Sequence, residues 1–250
     1  MDSGAASRIA HLLDEQQAPL RVVEIGPGTG ALTQALLDLN ADVTAIDVDP
    51  DMVQILRSRP ELARAAIVQA DALEFDYESL AQGKPWQMTG NLPYNIATPL
   101  IMRLIEMRNG PQTLVVMVQR EVANRFSARP STPAYGSLSV AVQYAMQVEK
   151  AFTLGPGAFY PRPKIDSTVV RLQRRAQPAV LVRDEHRFLQ VVRASFAYRR
   201  KTLANSLSLA LGLKRNDVAQ ALEQLGIQTE IRGEEFGLDD FARLADRLRA

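Results

Sequence analysis

Residues 21–30, Arg-Val-Val-Glu-Ile-Gly-Pro-Gly-Thr-Gly, constrain this chain more than any other stretch. An apolar run of five residues, too short for a helix, stops at Gly26-Pro27-Gly28. Apolar residues at helical spacing follow over 31–39, with Asn40 suited to end that helix. A strand, a glycine turn and a helix in that order open a β-α unit, and the pattern repeats. Strands are expected at 42–47, 66–69, 86–89 and 112–119, and helices at 50–59 and 100–107, with an amphipathic helix over 7–17 before the first strand. Strands alternating with helices imply parallel pairing and an α/β, doubly wound sheet. Beyond about residue 175 the alternation stops, and only helical patterns remain, at 184–198, 200–211, 215–225 and 238–249. The polar stretch 173–178 separates the two patterns. The expected organisation is therefore a doubly wound domain over 1–175 and a smaller all-α domain over 176–250.

Composition removes several chemistries. The chain has no cysteine and two histidines, so disulfides, cysteine-ligated zinc, cysteine-ligated iron–sulfur clusters and a cysteine nucleophile are excluded. His11 and His186 stand far apart and are expected to be surface or helix residues. No metal site is expected, and Trp86 is read as structural. The longest apolar run covers 114–118, far short of a bilayer span. The opening Met-Asp-Ser-Gly has neither a basic region nor an apolar run, so no secretory leader and a cytoplasmic location are expected.

The net charge of +1 hides an asymmetry. Residues 1–99 carry 6 basic and 14 acidic side chains, residues 100–175 carry 11 and 4, and residues 176–250 carry 12 and 10. A positive middle and late part suits a polyanion surface, although solvated helix faces would give the same count.

Two motifs carry chemistry. In Glu24-Ile25-Gly26-Pro27-Gly28-Thr29-Gly30 the glycines let the backbone approach a ligand closely, and Asp47, one strand along, can accept hydrogen bonds from ribose hydroxyls. Gly26, Gly28 and Ala31 also satisfy the dinucleotide pattern G-x-G-x-x-G/A, so this motif alone leaves a nicotinamide cofactor and another nucleoside both open. The second motif, Asn91-Leu92-Pro93-Tyr94, ends the fourth strand. In a doubly wound sheet it projects into the same crevice. An Asn carbonyl and a backbone carbonyl could accept from an exocyclic amine, and a tyrosine face could stack a base. That set suits nitrogen methylation of a planar base, and a hydride-transfer enzyme leaves it unexplained.

The ordered series EIGPGTG, AIDVDP, QADAL, GNLPYNIATPL, QREVANRF, YGSLSV, PGAFYPRPKIDSTVVRL and FAYRRKTLANSL resembles the bacterial small-subunit rRNA adenine N6,N6-dimethyltransferases, the KsgA/Dim1 family, related to the Erm methyltransferases. The resemblance covers nearly the whole chain. It implies a class I, Rossmann-like methyltransferase domain with a C-terminal helical RNA-docking domain. It implies S-adenosylmethionine as cofactor and two adjacent adenosines near the 3′ end of small-subunit rRNA as substrate, on the small ribosomal subunit, for a monomer with no membrane partner. The cofactor contacts it implies are Glu24, Gly26, Gly28, Asp47, Asp71, Ala72 and Asn91. The target-base contacts are Asn91, Leu92, Pro93 and Tyr94, with Phe159 closing on the other face of the base. Arg120, Arg162, Lys164, Arg199, Arg200 and Lys201 are expected on RNA phosphates, together with Arg125 and Arg129 of the positive middle segment, although Arg200 or Lys201 could instead cap or pair within the helical domain. Two rivals are an Erm-type enzyme acting on large-subunit rRNA and a non-catalytic ribosome-assembly factor. The family carries an upstream basic segment with a Gly-Gln-x-Phe-Leu motif, and this chain aligns from just after it. That segment is expected to add to cofactor retention and RNA affinity more than to the fold.

Overall fold

The computed structural model describes residues 2–13, 20–158 and 165–248. They cluster into two compact units: residues 1–123 with 147–174, and residues 124–146 with 175–250. The first unit is built on a seven-stranded sheet in the order β3-β2-β1-β4-β5-β7-β6. Its strands are β1 (Arg21–Ile25), β2 (Asp42–Asp47), β3 (Ala66–Gln69), β4 (Gln87–Asn91), β5 (Thr113–Gln119), β6 (Met146–Leu154) and β7 (Ser167–Arg174). α1 (Ser3–Ala10) precedes β1, and α2 (Ala31–Asp38), α3 (Pro50–Arg57), α4 (Tyr77–Ala81), α5 (Tyr94–Glu106) and α6 (Arg120–Phe126) follow between the strands.

β1 to β5 are parallel, as the alternating pattern requires. From β1 the order steps outward to β2 and β3 on one side, and from β4 to β5 on the other. Right-handed crossovers then put α2 and α3 on one face and α5 on the opposite face. On the first face, Ile9 of α1, Leu32, Leu36 and Leu37 of α2 and Leu56 of α3 pack with Val22, Val43, Val115 and Met117 of the sheet in one buried cluster. β1 and β5 are buried along nearly their whole length, which is why both read as continuous apolar runs.

The expected class, a doubly wound α/β sheet of the Rossmann-like methyltransferase kind, is observed, with differences of detail. β7 runs antiparallel against β5, pairing Met117 with Val169 and Thr113 with Gln173, and β6 lies outside it. α5 starts at Tyr94 rather than at residue 100 and passes through Pro99. Pro99 sits in the second turn, so it removes a single intrahelical bond. The first helix runs Ser3–Ala10, capped by the Asp2 carboxylate on Ala5 N–H at 3.1 Å. The part of that expected helix over 14–17 lies outside the described residues.

Gly90, in β4, faces Ile25 across the pairing. A Cβ there would overlap the Ile25 backbone carbonyl. Only the absence of a side chain lets β4 lie flush against β1 at this point.

The second unit contains α7 (Ser137–Ala145), α8 (Glu185–Ala197), α9 (Leu203–Leu211), α10 (Arg215–Gln224) and α11 (Leu238–Arg247). Phe188, Val191, Leu207, Leu222, Phe236 and Phe241 form its buried interior. Tyr144 packs on Phe188 with ring centroids 4.5 Å apart, and Tyr135 donates its hydroxyl to the Phe236 carbonyl at 2.7 Å. Residues 124–146 therefore share a core with the C-terminal helices, which an interior apolar helix preceding a boundary at 175 could not reveal.

The Gly90 contact makes a direct prediction. Gly90→Ala should lower stability in urea by more than about 2 kcal/mol. Gly155→Ala, where a Cβ meets open space, should leave it within about 0.5 kcal/mol. Equal effects at both positions would contradict the close approach.

Candidate active site

The carboxyl ends of β1 to β4 finish at nearly one level. Ile25 pairs with Ile46 and with Gly90, Asp47 with Gln69, and Asn91 with Met117. The point where the strand order reverses, between β1 and β4, is where such sheets bind ligands. Gly26 and Gly28 both have positive φ, +64° and +55°. A Cβ on Gly26 would lie 3.5 Å from the Asn91 backbone oxygen, while Gly28 faces open space. The structure thus brings the glycine loop and the start of the second motif against each other.

Asp47 and Asp71 share one local geometry. The Asp47 carboxylate accepts from the Asp49 backbone N–H at 3.0 Å, and that of Asp71 from the Leu73 N–H at 2.8 Å. Each is an Asx turn, which orients the carboxylate through one oxygen. The second oxygen of each has no hydrogen-bond partner among the described residues and can accept from a ligand hydroxyl or amine. The two ends are joined by the Ala70 N–H donating to the Asp47 carbonyl at 3.0 Å. Ala72 is buried, and its carbonyl accepts from the Tyr77 hydroxyl at 2.8 Å and from Arg103 at 3.2 Å. Beside Asp47, Val48 is 67% exposed, an apolar surface of a kind that a purine ring can cover.

Glu24 behaves differently. It is fully buried, and its Oε2 accepts from the Thr33 hydroxyl in the first turn of α2 at 2.6 Å. Burial pushes its pKa from 4.5 up to about 7, against a smaller lowering by Thr33. Its carboxyl joins β1 to α2 and so shapes the glycine loop between them.

Asn91 is exposed at the end of β4. Leu92 is buried, with its N–H donating to the Met117 carbonyl at 3.0 Å, which fixes the backbone of the motif. Pro93 is exposed and precedes α5, whose first residue is Tyr94. Of the expected RNA contacts, Arg120 opens α6, and Arg199, Arg200 and Lys201 follow α8; all four are exposed. Phe159, Arg162 and Lys164 lie outside the described residues. Part of the positive middle segment is structural. Arg171 donates to the Leu12 carbonyl at 2.9 Å, Arg174 to those of Leu104 and Pro111 at 3.0 and 3.1 Å, and Arg175 to that of Met146 at 3.1 Å. Sequence reasoning did not find Thr33, Val48 or Arg103. The first two had a local signal, a hydroxyl in the turn after the glycine loop and an apolar residue directly after the strand-ending acid. Arg103 had none.

The strand-end carboxylates, the open glycine loop and an exposed amide beside it fit a nucleoside cofactor carrying a transferable group near Asn91. Residues 5–249 match the family model for ribosomal RNA adenine dimethylase. The chain belongs to that family. Within the ribosomal RNA adenine dimethylases, it is 42% identical over 247 residues to ribosomal RNA small subunit methyltransferase A of Hahella chejuensis, covering 98% of this chain and 88% of that one. It is 44% identical over 239 residues to the Streptococcus mutans protein of the same name, covering 92% and 82%. Among solved structures it resembles a dimethyladenosine transferase from Plasmodium falciparum, with TM-score 0.77 and 26% identity over 96% of this chain and 94% of that one. It also resembles the 23S rRNA methyltransferase ErmE, with TM-score 0.68 and 27% identity over 99% and 98%. A ribosomal RNA adenine dimethylase uses S-adenosylmethionine, and the donor set described here fits that cofactor.

Glu24 carries a pH prediction. Its folded-state pKa, about 7, exceeds its ordinary 4.5, so the folded protein holds this proton more tightly than the unfolded chain. The stabilisation is complete below about pH 4.5 and is lost as pH rises through about 7. Glu24→Gln, which cannot titrate, should flatten the pH dependence of urea stability across that window. The difference between variant and parent should grow by up to about 3 kcal/mol from pH 4.5 to 8. Parallel curves would contradict the buried carboxyl.

Proposed function

We propose that this rRNA adenine methyltransferase dimethylates N6 of two adjacent adenosines near the 3′ end of small-subunit rRNA, acting as a cytoplasmic monomer on the small ribosomal subunit. The observation that carries the reading is the exposed Asn91 amide at the end of β4, with its backbone oxygen against Gly26. The relatives named small subunit methyltransferase A, at 42% and 44% identity, support the small subunit over the large one.

When bound, S-adenosylmethionine supplies an electrophilic methyl on a sulfonium. The chain's residues hold it and present the acceptor. Asp47 accepts from the ribose hydroxyls, Asp71 accepts from the adenine amine, and Val48 covers a face of that adenine. Gly26 and Gly28 let the backbone pass close to the amino-acid end. The target N6 lone pair is delocalised into its ring. Asn91 Oδ1 and a backbone carbonyl of the Asn91–Pro93 segment accept the two N6 hydrogens and turn the lone pair out of conjugation toward the methyl. Attack by N6 on that methyl would break the carbon–sulfur bond and leave its electrons on sulfur. The extra proton on N6 leaves to water at the exposed edge beside Asn91. Catalysis is positioning and electrostatics. Tyr94 and Phe159 supply faces for a base taken out of its stack, and the second transfer requires that a monomethylated amine be accepted in the same place. Arg120, Arg162, Lys164, Arg199, Arg200 and Lys201 contact phosphates, which makes binding salt dependent.

The test is transfer of labelled methyl to small subunits lacking the modification, with the product located by reverse transcription. Label should fall on two adjacent adenosines near the 3′ end, and Asn91→Ala should slow transfer by about a hundredfold or more. Label on large-subunit rRNA instead would point to the Erm-type activity. Subunit binding without any label would point to an assembly factor.

A further inference from the structure

Arg103 lies in the third turn of α5, the helix that Tyr94 opens. Its guanidinium reaches away from that helix to the loop after β3. Nη1 donates to the Ala72 carbonyl at 3.2 Å and Nη2 to the Phe75 carbonyl at 2.8 Å. The group also lies 5.2 Å from the centre of the Tyr77 ring. Tyr77 donates its hydroxyl to the same Ala72 carbonyl at 2.8 Å, packs edge-on against Phe75 and stacks on Trp86 at 5.5 Å with planes 7° apart. The loop is already folded on itself, because the Asp71 carbonyl accepts from the N–H groups of Glu74 and Phe75. Arg103 fastens this preformed turn to the helix that begins at the base-binding motif.

The geometry points to Arg103 as a positioning residue that holds the adenine pocket of the cofactor, Asp71 to Phe75, in register with the helix carrying the target-base motif. This rests on the reading of Asp71 and Ala72 as adenine contacts. The planar fork of arginine meets two carbonyls at once, which a lysine ammonium on a flexible stem does not reproduce. Methionine at this position keeps the packing of the stem and removes both hydrogen bonds. The loop must then be ordered when the cofactor binds, and that cost falls on affinity.

S-adenosylhomocysteine titrated calorimetrically separates this role from general stabilisation. Arg174 is the control, since it donates to the Leu104 carbonyl in the last turn of the same helix and to the Pro111 carbonyl beyond its end. At a temperature where circular dichroism shows every variant folded, Arg103→Met should weaken binding about tenfold or more. Arg103→Lys should fall between it and the parent. Arg174→Met should bind within about twofold of the parent while melting earlier. Parent-like binding by Arg103→Met, full recovery by Arg103→Lys, or an equal loss in Arg174→Met would each overturn the assignment. A parent protein that fails to bind S-adenosylhomocysteine would overturn the cofactor reading and this role with it.

Discussion

The site depends on one backbone contact, the parallel pairing of β1 with β4 at Ile25 and Gly90. The strand order reverses there, so no helix crosses the end of the sheet at that point and a crevice opens. Gly90 lets the two backbones meet without a side chain between them. The next residue on each strand then falls beside its neighbour, Gly26 from β1 and Asn91 from β4. The glycine loop and the Asn91–Tyr94 motif, 65 positions apart in sequence, are thereby brought side by side. Shifting β4 by one residue would turn Asn91 to the other face of the sheet and separate them.

Around that contact the chain uses its charges in two ways. Carboxylates at strand ends are held by their own backbone, as with Asp47 and Asp71, and keep an oxygen for a ligand. Glu24, within β1 and buried, is held by Thr33 and acts on the shape of the loop. Arginines divide likewise. Arg21, Arg64, Arg103, Arg171 and Arg174 donate to carbonyls at the ends of helices and loops, where the unpaired oxygens need donors. Arg120, Arg199 and Arg200 remain exposed. The positive excess of the middle segment is therefore a mixture, and its size overstates the surface available to a polyanion.

The sheet's parallel half was legible because buried strands between helices leave continuous apolar runs with glycine or acid at their ends, as at Ile25 and Asp47. β7 was not, because its partner β5 is already apolar and nothing local in Ser167–Arg174 marks an antiparallel return. Pro99 misplaced the start of α5, since a proline in a second turn costs a helix too little to end it. The membership of residues 124–146 in the second unit was invisible because their partners, such as Phe236 and Phe188, lie far along the chain. Residues proposed to face a ligand carried motifs. Those that act through other groups, Thr33 and Arg103, did not, because a guanidinium reaching from one element to another's carbonyls leaves no local pattern.

The most direct test of this account is a crystal structure of the protein with S-adenosylhomocysteine. The ribose should lie on Asp47, the adenine between Val48 and the Asp71–Ala72 turn, and the sulfur should face Asn91 across the glycine loop. A ligand bound with its ribose away from Asp47, or outside the β1–β4 crevice altogether, would contradict it.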